Sequence, residues 1–124
     1  MAHRVLVADD QQDLRDLFAA FLELRGYDVR AVADGREAVR EARAFRPHVV
    51  LMDLAMPHMD GREATQILKT DPATRAIKIV MITGHARACA PREVCPECDD
   101  VLVKPVDLPV LATLVADAIA EPAE

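Results

Sequence analysis

Short apolar runs alternate along the chain with segments of helical periodicity. The runs predict five β-strands, at Val5–Ala8, Asp28–Val32, Val49–Met52, Ile77–Ile82 and Val101–Val103. The second run alternates polar and apolar residues, as a half-exposed edge strand does. The other four are short, predominantly apolar runs, which are typical of strands in the interior of a parallel sheet.

The segments between these runs have the spacing of helices that bury one face. The first segment has apolar residues at i, i+3, i+4, i+7 and i+8 and ends near Gly26; these residues are Leu14, Leu17, Phe18, Phe21 and Leu22. We expect this whole stripe to lie in the core. A second helix follows Asp34-Gly35, and its apolar positions are Ala38, Val39 and Ala42.

Two further helices have recognisable ends. The third begins with Asp60 as the N-cap, has Glu63 three residues later, and stops before Asp71-Pro72. The last begins at Asp107 and is expected to bury Leu111, Leu114, Val115, Ala118 and Ile119. Between the fourth and fifth strands, prolines limit any helix over 87–97 to a turn or two.

The order of elements is β-α repeated five times, which predicts parallel strands with helices on both faces. We therefore expect one doubly wound, flavodoxin-like (βα)5 domain over residues 1–124, with strand order 2-1-3-4-5. Because only 3% of the 124 residues are aromatic, the core must be aliphatic.

Charge and hydropathy exclude several classes of function. A net charge of −6 argues against direct binding of nucleic acid, because duplex readers usually have a basic face. No apolar run is long enough for a membrane span, and the start of the chain leads directly into a strand without a signal peptide. We therefore expect a cytoplasmic protein with no membrane partner.

The unusual polar residues lie at the carboxyl ends of the predicted strands. Asp9 and Asp10 follow the first strand, Asp53 the third, Thr83 the fourth and Lys104 the fifth. In an open parallel sheet, ligands bind outside these ends, where the strand order reverses. The strand order predicts that the three carboxylates converge there, with the hydroxyl and the amine along the same rim.

Three neighbouring carboxylates resist ionisation unless a cation is present, and an oxygen-only ligand set suits Mg²⁺. With a metal bound, one carboxylate can act as a nucleophile toward phosphorus and form an aspartyl phosphate. Lys104 supplies a positive charge, and Thr83 a hydroxyl donor, for the phosphoryl oxygens. These groups are a complete set for acyl-phosphate formation.

Four motifs in this order resemble the receiver domains of two-component response regulators, in particular a single, chemotaxis-regulator-like receiver. Val5–Asp10 is similar to the family's opening strand and acidic pair, and Val50–Gly61 to its phosphorylation-site motif. Val80–His85 and Val103–Pro105 resemble the remaining two motifs. The resemblance covers essentially the whole chain and implies a bacterial phosphoprotein of a phosphorelay.

The resemblance implies a role for each residue of the site. Asp53 would accept a phosphoryl group from a histidine kinase or phosphotransfer protein. Mg²⁺, or Mn²⁺ in its place, would be bound by Asp10, Asp53 and the backbone carbonyl of Ala55, with Asp9 acting through water. Thr83 and Lys104 would hold the phosphoryl group, and the Lys104–Pro105 bond would be cis.

The same resemblance implies a binding switch that catalyses its own phosphorylation and dephosphorylation, rather than a turnover enzyme. Its partners would be the phosphodonor and either a downstream target protein or an output domain.

Three positions depart from the family pattern. Val101 stands where the family usually has an aromatic residue that moves inward on activation, so we expect output through the loop after the fourth strand or through helix rearrangement. Ala55 has no polar side chain to position a hydrolytic water, which predicts a long-lived phosphoryl state. Gly84 is expected to leave the phosphate pocket open.

A cluster of cysteine and histidine lies between the fourth and fifth strands. His85, Cys89, Cys95 and Cys98 form the pattern H-x₃-C-x₅-C-x₂-C. These residue types bind structural Zn²⁺, so a metal or redox site is one interpretation. The other is that the cysteines pack as small apolar residues in a shortened, irregular switch segment.

Other interpretations of the acidic site differ in class. A phosphatase of the haloacid-dehalogenase kind also uses an Asp nucleophile, but it expects a second Asp where this chain has Ala55. A pseudo-receiver would have the same fold and act only as an interaction module, and it usually lacks one of the acidic, Thr or Lys residues present here. Taken singly, each motif is equally typical of a turn or a helix cap.

Overall fold

The computed structural model describes residues 2–84 and 95–120, and in these parts five parallel strands form one sheet in the order β2-β1-β3-β4-β5. The strands are β1 (Arg4–Ala8), β2 (Asp28–Val32), β3 (Val49–Asp53), β4 (Lys78–Thr83) and β5 (Asp100–Val103). The described helices are α1 (Gln12–Leu24), α2 (Gly35–Phe45), α3 (Gly61–Thr70) and α4 (Leu108–Ala120). The predicted fold class and strand order are confirmed.

The predicted strand bounds differ from the observed ones by one residue at several ends. Asp53 and Thr83 are the last residues of β3 and β4, rather than the first residues after them. The parallel ladder reaches them because Asp53 is paired with Ile82, and Thr83 with Val103. Both side chains are therefore held by the sheet itself at its carboxyl edge.

The core lies on both faces of the sheet. On one face, strand residues pack with the apolar stripes of α2 and α3, including Ala38, Ala42, Ala64 and Leu68. On the other face, they pack with Phe18 and Leu22 of α1 and with Leu111 and Val115 of α4. The helices on each face exclude water from the strands, so the polar residues at the strand ends are accessible only from the carboxyl edge of the sheet.

The predicted helix ends are confirmed by their hydrogen bonds. Asp60 accepts a bond of 2.8 Å from the Glu63 amide, and Asp34 caps α2 in the same way. At the end of α1, Gly26 has a φ of +92° and donates to the carbonyl of Glu23, while Tyr27 donates to that of Leu22. This pair of bonds is a Schellman motif, which requires the left-handed conformation that glycine adopts without strain.

The prediction that the whole α1 stripe is buried is wrong for Leu17, whose exposed fraction is 46%. Leu17 lies at one edge of the stripe, whereas Phe18 and Leu22 near the stripe's other side are fully buried. The stripe is therefore wider than the surface that the sheet covers, and its edge faces solvent.

The expectation of a short helix over 87–97 falls largely outside the described residues, as do His85 and Cys89. None of the helices in the described parts of the chain has the length and apolar character of a membrane span.

Candidate functional site

The carboxyl ends of β1 and β3 lie side by side at the centre of the sheet. The two strands are paired up to Ala8 and Met52, so Asp9 and Asp53 come next on neighbouring strands. Carboxylate oxygens of Asp9, Asp10 and Asp53 all lie within 4.8 Å of one another. Asp9 and Asp53 are buried and Asp10 is exposed, so the cluster opens to solvent on one side.

Lys104 is the cation of this cluster. Its Nζ atom lies 3.4 Å from Oδ2 of Asp53 and 3.6 Å from Oδ2 of Asp9. A hydrogen bond of 2.8 Å from the Lys104 amide to the Thr83 carbonyl holds the start of this segment against β4. The Lys104–Pro105 bond is cis, as the resemblance implies.

A cavity of about 390 Å³ joins these groups. Thr83, which is buried, lines it together with Gly84 and two members of the acidic cluster, Asp10 and Asp53; the full lining is Asp10, Gln11, Asp53, Leu54, Ala55, Thr83, Gly84 and Lys104. A Cβ atom built on Gly84 would meet no atom of the described residues within 4 Å, so these residues leave the cavity open on this side.

Burial and neighbouring charge make Asp53 bind a proton more tightly than an ordinary aspartate does. Burial, followed by the negative charge of Asp9, raises the pKa of Asp53 to about 6, against a smaller lowering by Lys104. The positive charge of Lys104 therefore does not balance the negative charge of the three carboxylates.

Asp9 supports the same conclusion. Its Oδ1 atom accepts a 2.9 Å hydrogen bond from the Gln11 amide, but its buried Oδ2 atom accepts none from the described residues. Lys104 is near that oxygen, yet 3.6 Å is too long for a good hydrogen bond. A buried carboxylate oxygen without a donor, within an all-oxygen set, is compatible with binding of a hard divalent cation such as Mg²⁺.

The loop after Asp53 is held by two glycines that permit close contacts between backbones. A Cβ atom on Gly61 would lie 2.3 Å from the Asp53 carbonyl oxygen, and one on Gly35 would lie 2.1 Å from that of Met59. The Gly35 amide donates to the Met59 carbonyl at 3.0 Å, and the Gly61 amide to that of Leu54 at 2.9 Å. The loop is thereby tied to the N-termini of both α2 and α3.

Two residues that the sequence analysis did not single out belong to the site. Gln11 lines the cavity, and its Oε1 atom lies 3.5 Å from Lys104 Nζ. Arg15 donates a 2.8 Å hydrogen bond to the Asp9 carbonyl and so fixes the turn after β1. Gln11 directly follows the acidic pair in the sequence, and this position could have indicated that it belongs to the site.

The remaining predicted residues lie at the edges of the site or away from it. Val101 is half-buried on β5 and packs on the face of α2 and α3. Of the Cys/His cluster, only Cys95 and Cys98 lie within the described residues, and both are free thiols. Cys95 and Cys98 pack on the α2 and α3 face of the sheet and are not members of the acidic cluster.

The two thiols are held differently. Cys95 is buried in the core, and the Cys98 thiol donates to the Cys95 carbonyl at a distance of 2.9 Å. Burial, followed by the neighbouring Cys95, raises the pKa of Cys98 to about 12. A metal or redox role for the four-residue cluster stays a prediction.

Comparisons with known proteins agree on one family. Residues 5–116 match the model of the response regulator receiver domain. The chain is 33% identical over 117 residues to the CAI-1 autoinducer sensor kinase/phosphatase CqsS of Vibrio cholerae, which covers 91% of this chain but 17% of that protein. It is 35% identical over 84 residues to the DNA-binding response regulator MtrA of Mycobacterium tuberculosis, covering 68% of this chain and 36% of that one.

Solved structures give the same answer. The receiver domain of sensor histidine kinase PA1611 from Pseudomonas aeruginosa, described with a magnesium ion coordinated in its active site cleft, superposes with a TM-score of 0.87. The two chains share 30% identity, and the match covers 98% of this chain and 100% of the other. The curated relatives above are much longer than the matched region. This chain belongs to the response regulator receiver domain family.

Proposed function

We propose that the chain is a Mg²⁺-dependent phosphoacceptor whose phosphorylation on Asp53 switches the binding of a partner protein. The observation that carries the proposal is the arrangement at the carboxyl edge of the sheet. There, three carboxylates lie within 4.8 Å of one another and the Lys104 amine lies 3.4 Å from Asp53. This combination supports attack on phosphorus and stabilises the charge on the transferred group.

In the proposed transfer, a carboxylate oxygen of Asp53 attacks the phosphorus atom of a phosphohistidine on the donor. The new P–O bond forms as the P–N bond breaks, and the departing imidazole nitrogen keeps the electron pair and takes up a proton. Lys104 and the Thr83 hydroxyl, both lining the cavity with Asp53, would hold the phosphoryl oxygens. Hydrolysis of the acyl phosphate then releases inorganic phosphate and resets the switch.

The residues that would hold Mg²⁺ are Asp10, Asp53 and the backbone carbonyl of Ala55, with Asp9 acting through a bound water. When bound, the ion neutralises carboxylate and phosphoryl charge and helps to orient the reacting groups. The all-oxygen donor set, and the Oδ2 atom of Asp9 that accepts no hydrogen bond from the described residues, support this assignment. Mn²⁺ has the same ligand preference and is expected to substitute.

The partners of the proposed switch are a histidine kinase or phosphotransfer protein as donor, and a target protein or output domain as receiver of the signal. Apolar side chains are exposed on the elements that adjoin the site. These are Leu17 on α1, Val103 beside Lys104, and Val110 in the first turn of α4, with exposed fractions of 46%, 38% and 45%. They supply the apolar contact that a docked donor needs around a polar site.

Phosphorylation by acetyl phosphate tests the proposal without a known kinase. Wild type and Asp53→Asn are incubated with the donor, with and without Mg²⁺, and separated on a phosphate-affinity gel. We expect a shifted band in wild type with Mg²⁺ and none in the variant. Asp16→Asn, which changes an exposed carboxylate on α1, is the matched control and should shift as wild type does.

No shift in wild type with any divalent cation would contradict the proposal and favour an interaction module with the receiver fold. A shift that persists in Asp53→Asn would place the phosphoryl group on another residue.

A further inference from the structure

Helices α2 and α3 form a groove that the phosphoacceptor reaction does not use. It has a volume of about 740 Å³ and lies on the face of the sheet opposite α1 and α4. We call it the arginine groove, and its lining is Arg36, Val39, Arg40, Arg43, Ala44, Met59 and Ile67. Its floor is apolar, with Val39 nearly buried and Met59 and Ile67 partly buried.

One wall of the groove is a stripe of arginines. Arg36, Arg40 and Arg43 stand at i, i+4 and i+7, so they share one face of α2 and extend over about 10 Å of its length. All three are exposed. A chain with a net charge of −6 therefore carries a concentrated positive stripe beside an apolar floor.

The acidic residues of α2 do not pair with this arginine stripe, because they are bonded to other groups of the chain. Glu37 accepts a 3.2 Å hydrogen bond from the Ala33 amide, and Glu41 pairs with Arg30 on β2. Within residues 2–84 and 95–120, the side chains of Arg36 and Arg40 have neither an ion pair nor a hydrogen bond to another residue. Two arginines over an apolar floor are thus left available for an external partner.

Arg43 has a weak partner of its own. It pairs with Asp71 at 3.3 Å, and 52% of its side chain is exposed. An exposed pair of this kind contributes little free energy, so an incoming carboxylate can replace Asp71 at small cost.

We propose that the arginine groove is a docking site for an acidic amphipathic helix of a partner protein. Apolar residues of that helix would pack on Val39, Met59 and Ile67, and its carboxylates would face the arginine stripe. Arginine forms bidentate bonds with carboxylates, and two turns of a partner helix match the length of the stripe. An extended nucleic acid fits less well, because the acidic remainder of the surface repels it and it has no use for the apolar floor.

Met59 links the groove to the loop that follows Asp53, since its carbonyl accepts the Gly35 hydrogen bond at the start of α2. Docking does not require phosphorylation, however, and can be tested on the unmodified protein. The result of this test is therefore independent of whether Asp53 is phosphorylated.

The test uses a synthetic helical peptide of ~18 residues with a Leu stripe flanked by Glu at i, i+4 and i+7. A peptide of identical composition with scrambled order has the same net charge and is the control. Binding to the full chain is measured by fluorescence anisotropy, and the contact surface is mapped by amide chemical shifts. We expect the patterned peptide to bind at least about tenfold more tightly, with shifts on α2, α3 and Met59.

Arg40→Glu is expected to weaken binding by about tenfold or more. The matched control is Arg62→Glu, because Arg62 is an exposed arginine on another face of α3 and the charge change is the same; its affinity should stay within about twofold. If circular dichroism shows that Arg40→Glu is unfolded, Arg40→Gln replaces it.

Several outcomes would overturn the proposal. Equal binding of the two peptides, or equal losses in the two variants, would mean that net charge alone drives association. Shifts confined to surfaces outside the groove would also overturn it. Tighter binding of a single-stranded oligonucleotide or an anionic phospholipid vesicle at the arginines would replace the helical partner with that ligand.

Discussion

The Nζ atom of Lys104 lies 3.4 Å from Oδ2 of Asp53, so a residue after the last strand of the sheet contacts the last residue of the central one. The contact is close enough for Coulombic attraction and too long for a strong hydrogen bond. Lys104 is therefore in position to move toward an anion larger than a carboxylate, such as a phosphoryl group on Asp53.

Removal of the Lys104 amine should slow phosphoryl transfer. In Lys104→Ala, the phosphoryl oxygens lose a charged donor, and we expect the rate of phosphorylation by acetyl phosphate to fall by about 10²-fold. Lys104→Arg keeps the charge and should lose less. Time courses on a phosphate-affinity gel measure both variants, and an unchanged rate in Lys104→Ala would exclude a role for Lys104 in the transfer.

With a chelator present, the contribution of Asp53 to the free energy of unfolding should fall as the pH rises through its pKa. Burial and the charge of Asp9 raise this pKa from 3.8 to about 6, so the folded state binds the proton more tightly than the unfolded chain. The resulting stabilisation is fully present below a pH of about 4 and is lost as the pH passes about 6. Its size is roughly 1–3 kcal/mol.

Urea unfolding with a chelator present, at pH 4.5, 5.5 and 7, measures this effect. Asp53→Asn does not ionise, so it should be the more stable protein at pH 7 and should show a flatter pH profile. Saturating Mg²⁺ should restore the stability of wild type at pH 7. Parallel profiles for the two proteins would show that Asp53 titrates normally.

The sequence predicted which polar residues lie at the carboxyl edge of the sheet, because the ends of the apolar runs locate the strand ends and the polar residues directly follow them. Asp9, Asp53 and Lys104 were identified in this way. The exposure of Leu17 was not predicted, because periodicity identifies the apolar face of a helix but not how much of that face a neighbour covers. The contact of Gln11 with Lys104 was not predicted either, because it joins residues that are far apart in the sequence. The arginine groove depends on the angle between two helices, which no local pattern contains.

Gly61 should tolerate no side chain, although it lies in a helix where alanine is ordinarily favoured. A Cβ atom there would lie 2.3 Å from the carbonyl oxygen of Asp53, a backbone atom that cannot move without shifting β3. We expect Gly61→Ala to lower the free energy of unfolding by about 2–3 kcal/mol. Gly84→Ala, where a Cβ meets no atom of the described residues within 4 Å, is the matched control and should be near neutral in thermal unfolding.

Ala55 should lengthen the lifetime of the phosphoryl group. It lines the cavity without a polar side-chain atom, so it cannot orient an attacking water. In Ala55→Asn the added amide can do so, and we expect hydrolysis to accelerate by about tenfold or more. The decay of the shifted band after removal of acetyl phosphate measures the rate, and equal decay in both proteins would contradict this explanation.

Cys98 should react unusually slowly with alkylating agents. Its thiol is half-buried and donates to the Cys95 carbonyl, and its pKa is raised to about 12 from a usual value of 9.0. Because the thiolate is the reactive form, the difference of about three pH units lowers its population at pH 8 by roughly 10³-fold. Iodoacetamide labelling of native and urea-unfolded protein, followed by peptide mapping, separates Cys98 from the other cysteines. Rapid labelling in the native state would contradict the raised pKa of Cys98. Equimolar zinc that is lost in Cys95→Ser would instead support the metal site.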